Sequence, residues 1–253
     1  MVGAGDRFFK LIKWLLVLVI IGVIALAVAP LNLYYDQVSK HIRPVSLNDI
    51  SGSMVKGSAG ELKYMSLPMG EAEWLLYPSS YDAVGGKVKL KDNHYDMTFQ
   101  LGQVRAASAL IKQVRGYLDW QVFAPFVQIR YGELSGYASI DLQDVVFEQD
   151  SGLQRMSGEI TLKDFKMLKP APKDLGEIKL TFNTEKQGVI VGQFSSDSNV
   201  LAVSGTLYVQ PRRWQLNVDL VPKAGHFELD AVLSSVGQAR RGGGRRLNLA
   251  GFY

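Results

Sequence analysis

The chain has 253 residues, a formal net charge of +4 and no cysteine. The absence of cysteine excludes disulfides, thiolate metal sites and cysteine nucleophiles, and the length is enough for one domain of about 200 residues or two smaller ones. Residues 36–253 carry 25 basic and 23 acidic side chains. The body of the protein is therefore close to neutral and lacks the strongly basic face that nucleic-acid binding requires.

The first element is an apolar stretch of 22 residues, 14–35, that contains no charged side chain. As a helix it would be about 33 Å long, against a bilayer core of about 30 Å. We therefore predict a transmembrane anchor at 14–35. The positive-inside rule places residues 1–13 in the cytoplasm and the remainder across the membrane. Three basic residues before the stretch set this orientation: Arg7, Lys10 and Lys13.

The two alternatives to an anchor are a cleavable signal peptide and a buried soluble helix. A cleavable signal peptide is suggested by the small residues Ala27-Val28-Ala29, but the stretch is long for a signal core and Pro30 would hinder cleavage. A buried soluble helix would normally show polar residues along one face, and this segment has none. Residues 36–48 would form a tether from the anchor to the folded domain.

Beyond the tether, residues 49–253 alternate apolar and polar side chains with a period of two, as at Val88 and Leu90 between lysines, or at Trp214 and Leu216. This period predicts a mainly β domain, a single curved antiparallel meander with one wet face. Small residue-glycine pairs such as Ser204-Gly205 were expected to mark a turn before each strand. Residues 104–114 have helical spacing of apolar side chains and predict a short helix.

Catalytic or metal-binding motifs were not found. The three histidines lie far apart in sequence, there is no Gly-x-Ser-x-Gly elbow and no carboxylate pair stands out as an acid and base. We therefore expect no enzyme, no cofactor and no metal site. Four arginines near the end are interpreted as a solvated loop, with contact to acidic headgroups or an acidic partner as the alternative: Arg240, Arg241, Arg245 and Arg246.

Three tryptophans, Trp74, Trp120 and Trp214, fall in phase with the apolar face of a predicted strand. Aromatic side chains in this phase usually pack in a core. They could equally line an uncovered apolar groove that takes lipid or a partner's strand. The sequence leaves both readings open.

Several phrases of the chain resemble protein N of the bacterial type II secretion system. The most specific is Trp74 to Pro78 (Trp-Leu-Leu-Tyr-Pro), and the opening phrase around Ile50 and the ending around Arg246 also match. The loop before the last strand departs from the family pattern, and Tyr64 stands where a tryptophan is common. The family-motif positions in this chain are Ser51, Gly52, Gly57, Trp74, Pro78, Ser204, Gly205 and Gly251.

The resemblance implies a single-pass protein of the bacterial inner membrane with a periplasmic β domain and no enzymatic activity or cofactor. It would be an accessory component that supports export of folded proteins across the outer membrane. Its partners would be other secretion proteins, in the inner-membrane platform or linked to the secretin. Because the family is similar to AsmA-like envelope proteins that carry lipid in a β groove, a periplasmic lipid-binding or lipid-transfer module is the alternative.

Overall fold

A computed structural model describes residues 29–40, 42–65, 67–123, 133–169 and 172–252. The protein is mainly β, with 71% strand among the described residues, and the strand pairs in both of its compact units are antiparallel. The predicted fold class is confirmed in these respects. Residues 14–28 of the predicted anchor, and Arg7, Lys10 and Lys13 before it, lie outside the described residues. Within the described ranges, no helix has the length and apolar character that a membrane crossing needs.

The chain divides into two compact units, the first ending at Tyr77 and the second beginning at Pro78. In unit 1 the sheet order is β1-β2-β4, and β3 pairs with β2. The first strand starts inside the segment expected to be a tether, and the last residues of β4 belong to unit 2. The elements are a 3-10 turn (Leu31–Leu33), α1 (Tyr35–Ser39), β1 (Val45–Gly52), β2 (Lys56–Tyr64), β3 (Leu67–Pro68) and β4 (Glu71–Ser80).

Unit 2 is a meander in which each long strand pairs with the next along the chain as far as β14. Its strands are β5 (Ala83–Asp92), β6 (Tyr95–Val104), β7 (Ser108–Asp119), β8 (Glu133–Glu148), β9 (Gly152–Lys169), β10 (Lys173–Asp174), β11 (Glu177–Lys186), β12 (Val189–Asp197), β13 (Leu201–Gln210), β14 (Arg213–Pro222), β15 (Gln238–Ala239) and β16 (Arg245–Phe252). Its helices are α2 (Trp120–Phe123) and α3 (Phe227–Leu233). The short β10 pairs only with β9, and β16 pairs with β14 while β15 lies on its other side.

The prediction that each glycine phrase marks a turn is wrong for the glycines inside strands. Gly116, Gly158 and Gly205 lie in the interiors of β7, β9 and β13. A Cβ at Gly158 would stand 2.2 Å from the carbonyl oxygen of Asp141 on β8, and one at Gly205 would stand 2.2 Å from that of Asn217 on β14. Glycine is needed there because the neighbouring backbone approaches closely.

The predicted helix at 104–114 is also wrong. Val104 ends β6, the backbone N–H of Arg105 donates to the carbonyl of Ser108 at 2.8 Å, and the remaining residues form β7. Ala109 pairs with Val104 on one side and with Phe147 on the other. Pairing on both sides outweighs the helical spacing of the apolar residues, because strand pairing depends on context more than on local propensity.

Candidate docking edge and apolar face

Helix α3 covers part of the apolar face of unit 2. Leu229, Val232 and Leu233 on this helix are buried against Val203 and Val218 of the sheet. Trp120 packs on the same cluster, with its ring centroid 5.3 Å from that of Phe165. The expectation that Trp120 continues a strand is wrong, because β7 ends at Asp119 and Trp120 begins α2. Trp120 is therefore partly buried against this cluster.

Two further apolar clusters on unit 2 consist of strand residues only. One has Met97, Val114 and Ile140 at its centre, and the other contains Met156, Phe182 and Ile190. Half-buried aliphatic and aromatic side chains surround both. Tyr95 lies in the first cluster, where its hydroxyl is buried with no hydrogen-bond partner among the described residues and burial raises the pKa of its phenol. The central residues of both clusters are buried.

In unit 1, Trp74 lies across a glycine of the neighbouring strand. Trp74 on β4 pairs with Gly57 on β2, and a Cβ at Gly57 would stand 2.6 Å from Cζ2 of the indole. The ring reaches past β2 to the end of β1, where its Nε1–H donates to the carbonyl oxygen of Ser53 at 3.0 Å. The indole therefore contacts three neighbouring strands, and its N–H has a hydrogen-bond acceptor.

Unit 2 repeats the same pair at its last strand. Trp214 on β14 pairs with Gly251 on β16, and a Cβ at Gly251 would stand 2.8 to 2.9 Å from Nε1, Cε2 and Cζ2 of the indole. No strand lies beyond Gly251 among the described residues. Within that part of the chain, the Nε1–H of Trp214 has no hydrogen-bond acceptor.

The edge of β16 is unpaired over most of its length. One side pairs continuously with β14 from Arg245 to Phe252, while β15 covers only Arg245 and Arg246 on the other side. In the described structure, residues 247–252 therefore present unpaired backbone groups. This stretch contains no charge and no proline, and its Leu249 is 46% exposed and its Phe252 is 88% exposed. We call residues 247–252 the β16 edge.

The outer edge of β1, by contrast, is blocked. The backbone N–H of Leu47 donates to the hydroxyl of Tyr35 at 2.6 Å, and Pro30 forms an isolated bridge with Ser53 just beyond the strand. Asp49 has a φ of 53°, which interrupts the extended backbone. Natural sheets protect their edges with such covers and irregularities, and an edge without them is a template for another strand.

Three of the four arginines near the end of the chain have internal partners. Arg246 makes a bidentate pair with Asp219, directly opposite on β14, at 2.7 and 2.8 Å, and Arg240 adds a third contact at 3.3 Å. The bond with Arg246 holds the pKa of Asp219 below its ordinary value. Arg245 donates to the carbonyls of Leu233 and Ser234 at the end of α3. The interpretation of a solvated loop is wrong for Arg245 and Arg246, which lie in β16 and fasten it to α3 and β14, whereas Arg240 lies in an exposed loop.

The described residues offer no centre for chemistry. They contain no group of three residues that could hold a metal ion. His94 lies 3.5 Å from Asp119, and His226 lies 2.9 Å from the ammonium nitrogen of Lys173. These two pairs lie in different places and do not combine into one cluster of titratable groups.

The structure places the other family-motif residues in strands rather than in one site. Ser51 and Gly52 end β1, Pro78 lies in β4, and Ser204 and Gly205 lie in β13. Gly57 meets Gly52 and Trp74 across strands, and Gly251 meets Trp214. Sequence reasoning missed the edge residues Leu249 and Ala250. The signal that could have found them was the run of seven uncharged residues following Arg246.

Comparison with known proteins gave one match. The model of the family described as type II secretion system, protein N, matches residues 43–248, which is most of the chain. Searches of curated proteins and of solved structures gave no significant match.

Proposed function

Since the chain belongs to the type II secretion system protein N family, we propose that it is an accessory structural component of that machine. It supports export of folded periplasmic proteins across the outer membrane by contacting other secretion proteins. The observation that carries the proposal is the family match over residues 43–248, which spans parts of both compact units. A docking role agrees with an unprotected strand edge and with described residues that offer no catalytic cluster.

The proposal includes an inner-membrane anchor in the uncharged stretch 14–35, whose last residues, from Pro30 on, lie against β1 of unit 1, with the folded units in the periplasm. It is supported by the uncharged stretch of 22 residues and by the basic residues Arg7, Lys10 and Lys13 before it. A fusion of alkaline phosphatase, which is active only in the periplasm, to the end of the chain tests the orientation. High phosphatase activity in the membrane fraction is expected, and an inactive cytoplasmic fusion would contradict it.

The experiment that tests the secretion role is the exported proteome of a strain that lacks the gene, measured by mass spectrometry of the medium. A defined set of folded enzymes should remain in the periplasm and return to the medium when the gene is restored. Unchanged export after deletion would overturn the proposal.

A lipid-binding role is the second candidate. It is favoured by the two buried apolar clusters that consist of strand residues only, centred on Met97 and on Ile190, because an interior lined by apolar side chains can hold a lipid chain. Mass spectrometry of the protein purified in a mild detergent should then show bound phospholipid in a fixed ratio. A variant with Ile140→Asp in the first cluster should lose that lipid, and the absence of lipid from the wild type would exclude this candidate.

A further inference from the structure

Unit 1 shows what the arrangement around Trp214 looks like when a third strand is present. There, Trp74 pairs with Gly57, Gly57 pairs with Gly52 on β1, and Ser53, one residue further on, accepts the indole hydrogen bond. At the β16 edge, Trp214 of β14 lies across Gly251 in the same way, but no third strand follows among the described residues. A strand beside β16 would bring a backbone carbonyl to the Nε1–H of Trp214.

We propose that this strand is β16 of a second copy of the chain, paired antiparallel across a two-fold axis at Ala250. The dimer would join the β14-β16 sheets of two copies through five residues of each edge, 248–252. The inference goes beyond the proposed function and does not depend on it, because the pairing is a property of the chain itself.

The position of the axis follows from two constraints. For the apolar faces of both copies to lie on the same side of the joined sheet, a residue must pair with one of the same parity, so the axis passes through a residue. An axis at Asn248 or Leu249 brings a residue of the incoming strand opposite Arg246, where Gln238 of β15 is already paired. An axis at Ala250 avoids this collision and still pairs all of residues 248–252.

In this register, the side chains of the two edges fit against each other. Leu249 lies opposite the partner copy's Gly251, which has no side chain and whose place is taken by the ring of Trp214. Leu249 is 46% exposed in the single chain. In the dimer, the Leu249 of each copy would pack on the Trp214 ring of the other copy. Ala250 stands on the axis, where a small residue is needed. The edge carries no charge, so two copies meet without repulsion between like charges.

The hydrogen bond of Trp214 is completed in the same register. By the geometry of unit 1, the acceptor is the carbonyl one residue after the residue that pairs with the glycine. In the dimer, the partner copy's Leu249 pairs with Gly251, so its Ala250 carbonyl takes the position that Ser53 has in unit 1. Each copy would supply one such bond to the other.

Cysteine cross-linking in membranes that contain the full chain tests the dimer directly, because the native chain has no cysteine. In Ala250→Cys, the two thiols face each other across the axis at a strand-pair separation that a disulfide can bridge. Mild oxidation should give a disulfide dimer in most of the protein. Ser51→Cys, on the blocked edge of β1, is the matched control and should give at least about tenfold less.

One further variant and one measurement without mutation provide controls. Adding Leu249→Asp to Ala250→Cys should reduce the disulfide about tenfold, because a carboxylate would face the ring of Trp214. Wild-type chains with two different tags, expressed together, should purify with each other. Cross-linking of Ala250→Cys no faster than of Ser51→Cys, a disulfide to a different protein, or failure of the tagged chains to purify together would overturn the proposal. These outcomes are independent of the secreted proteome, so either proposal can fail alone.

Discussion

The two tryptophan-glycine pairs, one in each unit, have the same local geometry and different surroundings. Trp74 crosses Gly57 on a strand that has neighbours on both sides, and its indole hydrogen bonds to the strand beyond. Trp214 crosses Gly251 on a strand whose far side is unpaired in the described structure. The same cross-strand motif can therefore lie inside a sheet or at its edge, and the presence of a strand beyond the glycine decides which.

The largest expected difference between the two pairs is at the glycines. In Gly57→Ala, the new methyl group would meet the indole at 2.6 Å and the backbone oxygens of Ser51 and Ser53 at 2.7 and 2.9 Å, so we expect a loss of about 3 kcal/mol of unfolding free energy. In Gly251→Ala, the three atoms nearest to the methyl group all belong to the Trp214 ring, which can move at an edge, and we expect about 1 kcal/mol. Chemical denaturation of the two variants checks this order, and equal losses would contradict the contrast.

The tryptophans themselves should differ by a smaller amount. Trp74→Phe removes the hydrogen bond to Ser53 and leaves that carbonyl without its donor, which should cost about 2 kcal/mol. In the single chain, Trp214→Phe removes no such bond, and we expect less than about 1 kcal/mol. Thermal unfolding at low protein concentration, where the proposed dimer is dissociated, makes the comparison; a larger effect at Trp214 would show that its ring is the more constrained one.

The smallest effect concerns the charged pair that fastens β16. Asp219→Asn weakens the contacts with Arg246 and Arg240 and should lower the unfolding free energy by about 1 kcal/mol at neutral pH. Because the pKa of Asp219 is lowered in the folded state from its ordinary value of 3.8, its contribution is fully present above about pH 4 and is lost as the pH falls through the lowered pKa.

Denaturation curves of the wild type and Asp219→Asn, recorded from pH 7 down to pH 2, give the test. The difference between the two should shrink below pH 4. As a comparison in unit 1, Glu61, whose pKa is lowered by hydrogen bonds from Lys63 and Asn48, has a side chain that is 36% exposed against 20% for Asp219 and should show a weaker dependence. A difference between wild type and Asp219→Asn that persists at pH 2 would contradict the role of the ionised carboxylate.

The strands could be predicted from the sequence because their alternation is local. Val88 and Leu90 in β5, and Trp214 and Leu216 in β14, have the expected phase. The helix predicted at 104–114 failed since Ala109 and Ile111 fit both periods, and only pairing with β6 and β8 decides between them. The prediction that Trp120 lies in a strand was wrong because the end of β7 has no clear signal in the sequence.

The candidate site was harder to predict than the strands. The family motif indicated Trp74, Gly57 and Gly251, but that each tryptophan covers a glycine is a matter of register between strands. The partners of Arg245 and Arg246 also come from distant parts of the chain, Leu233 and Asp219. Which side of β16 is unpaired depends on where β15 ends, and no local pattern shows it.

The most direct test of the central claim, that the β16 edge is the contact site of this secretion component, is complementation of the deletion strain with two matched variants. Leu249→Asp changes the edge, and Leu75→Asp changes a leucine of similar exposure, 51% against 46%, on β4. Secreted enzyme in the medium is measured at equal abundance of each protein. We predict that wild type and Leu75→Asp restore secretion and that Leu249→Asp does not. Full restoration by Leu249→Asp would contradict the account.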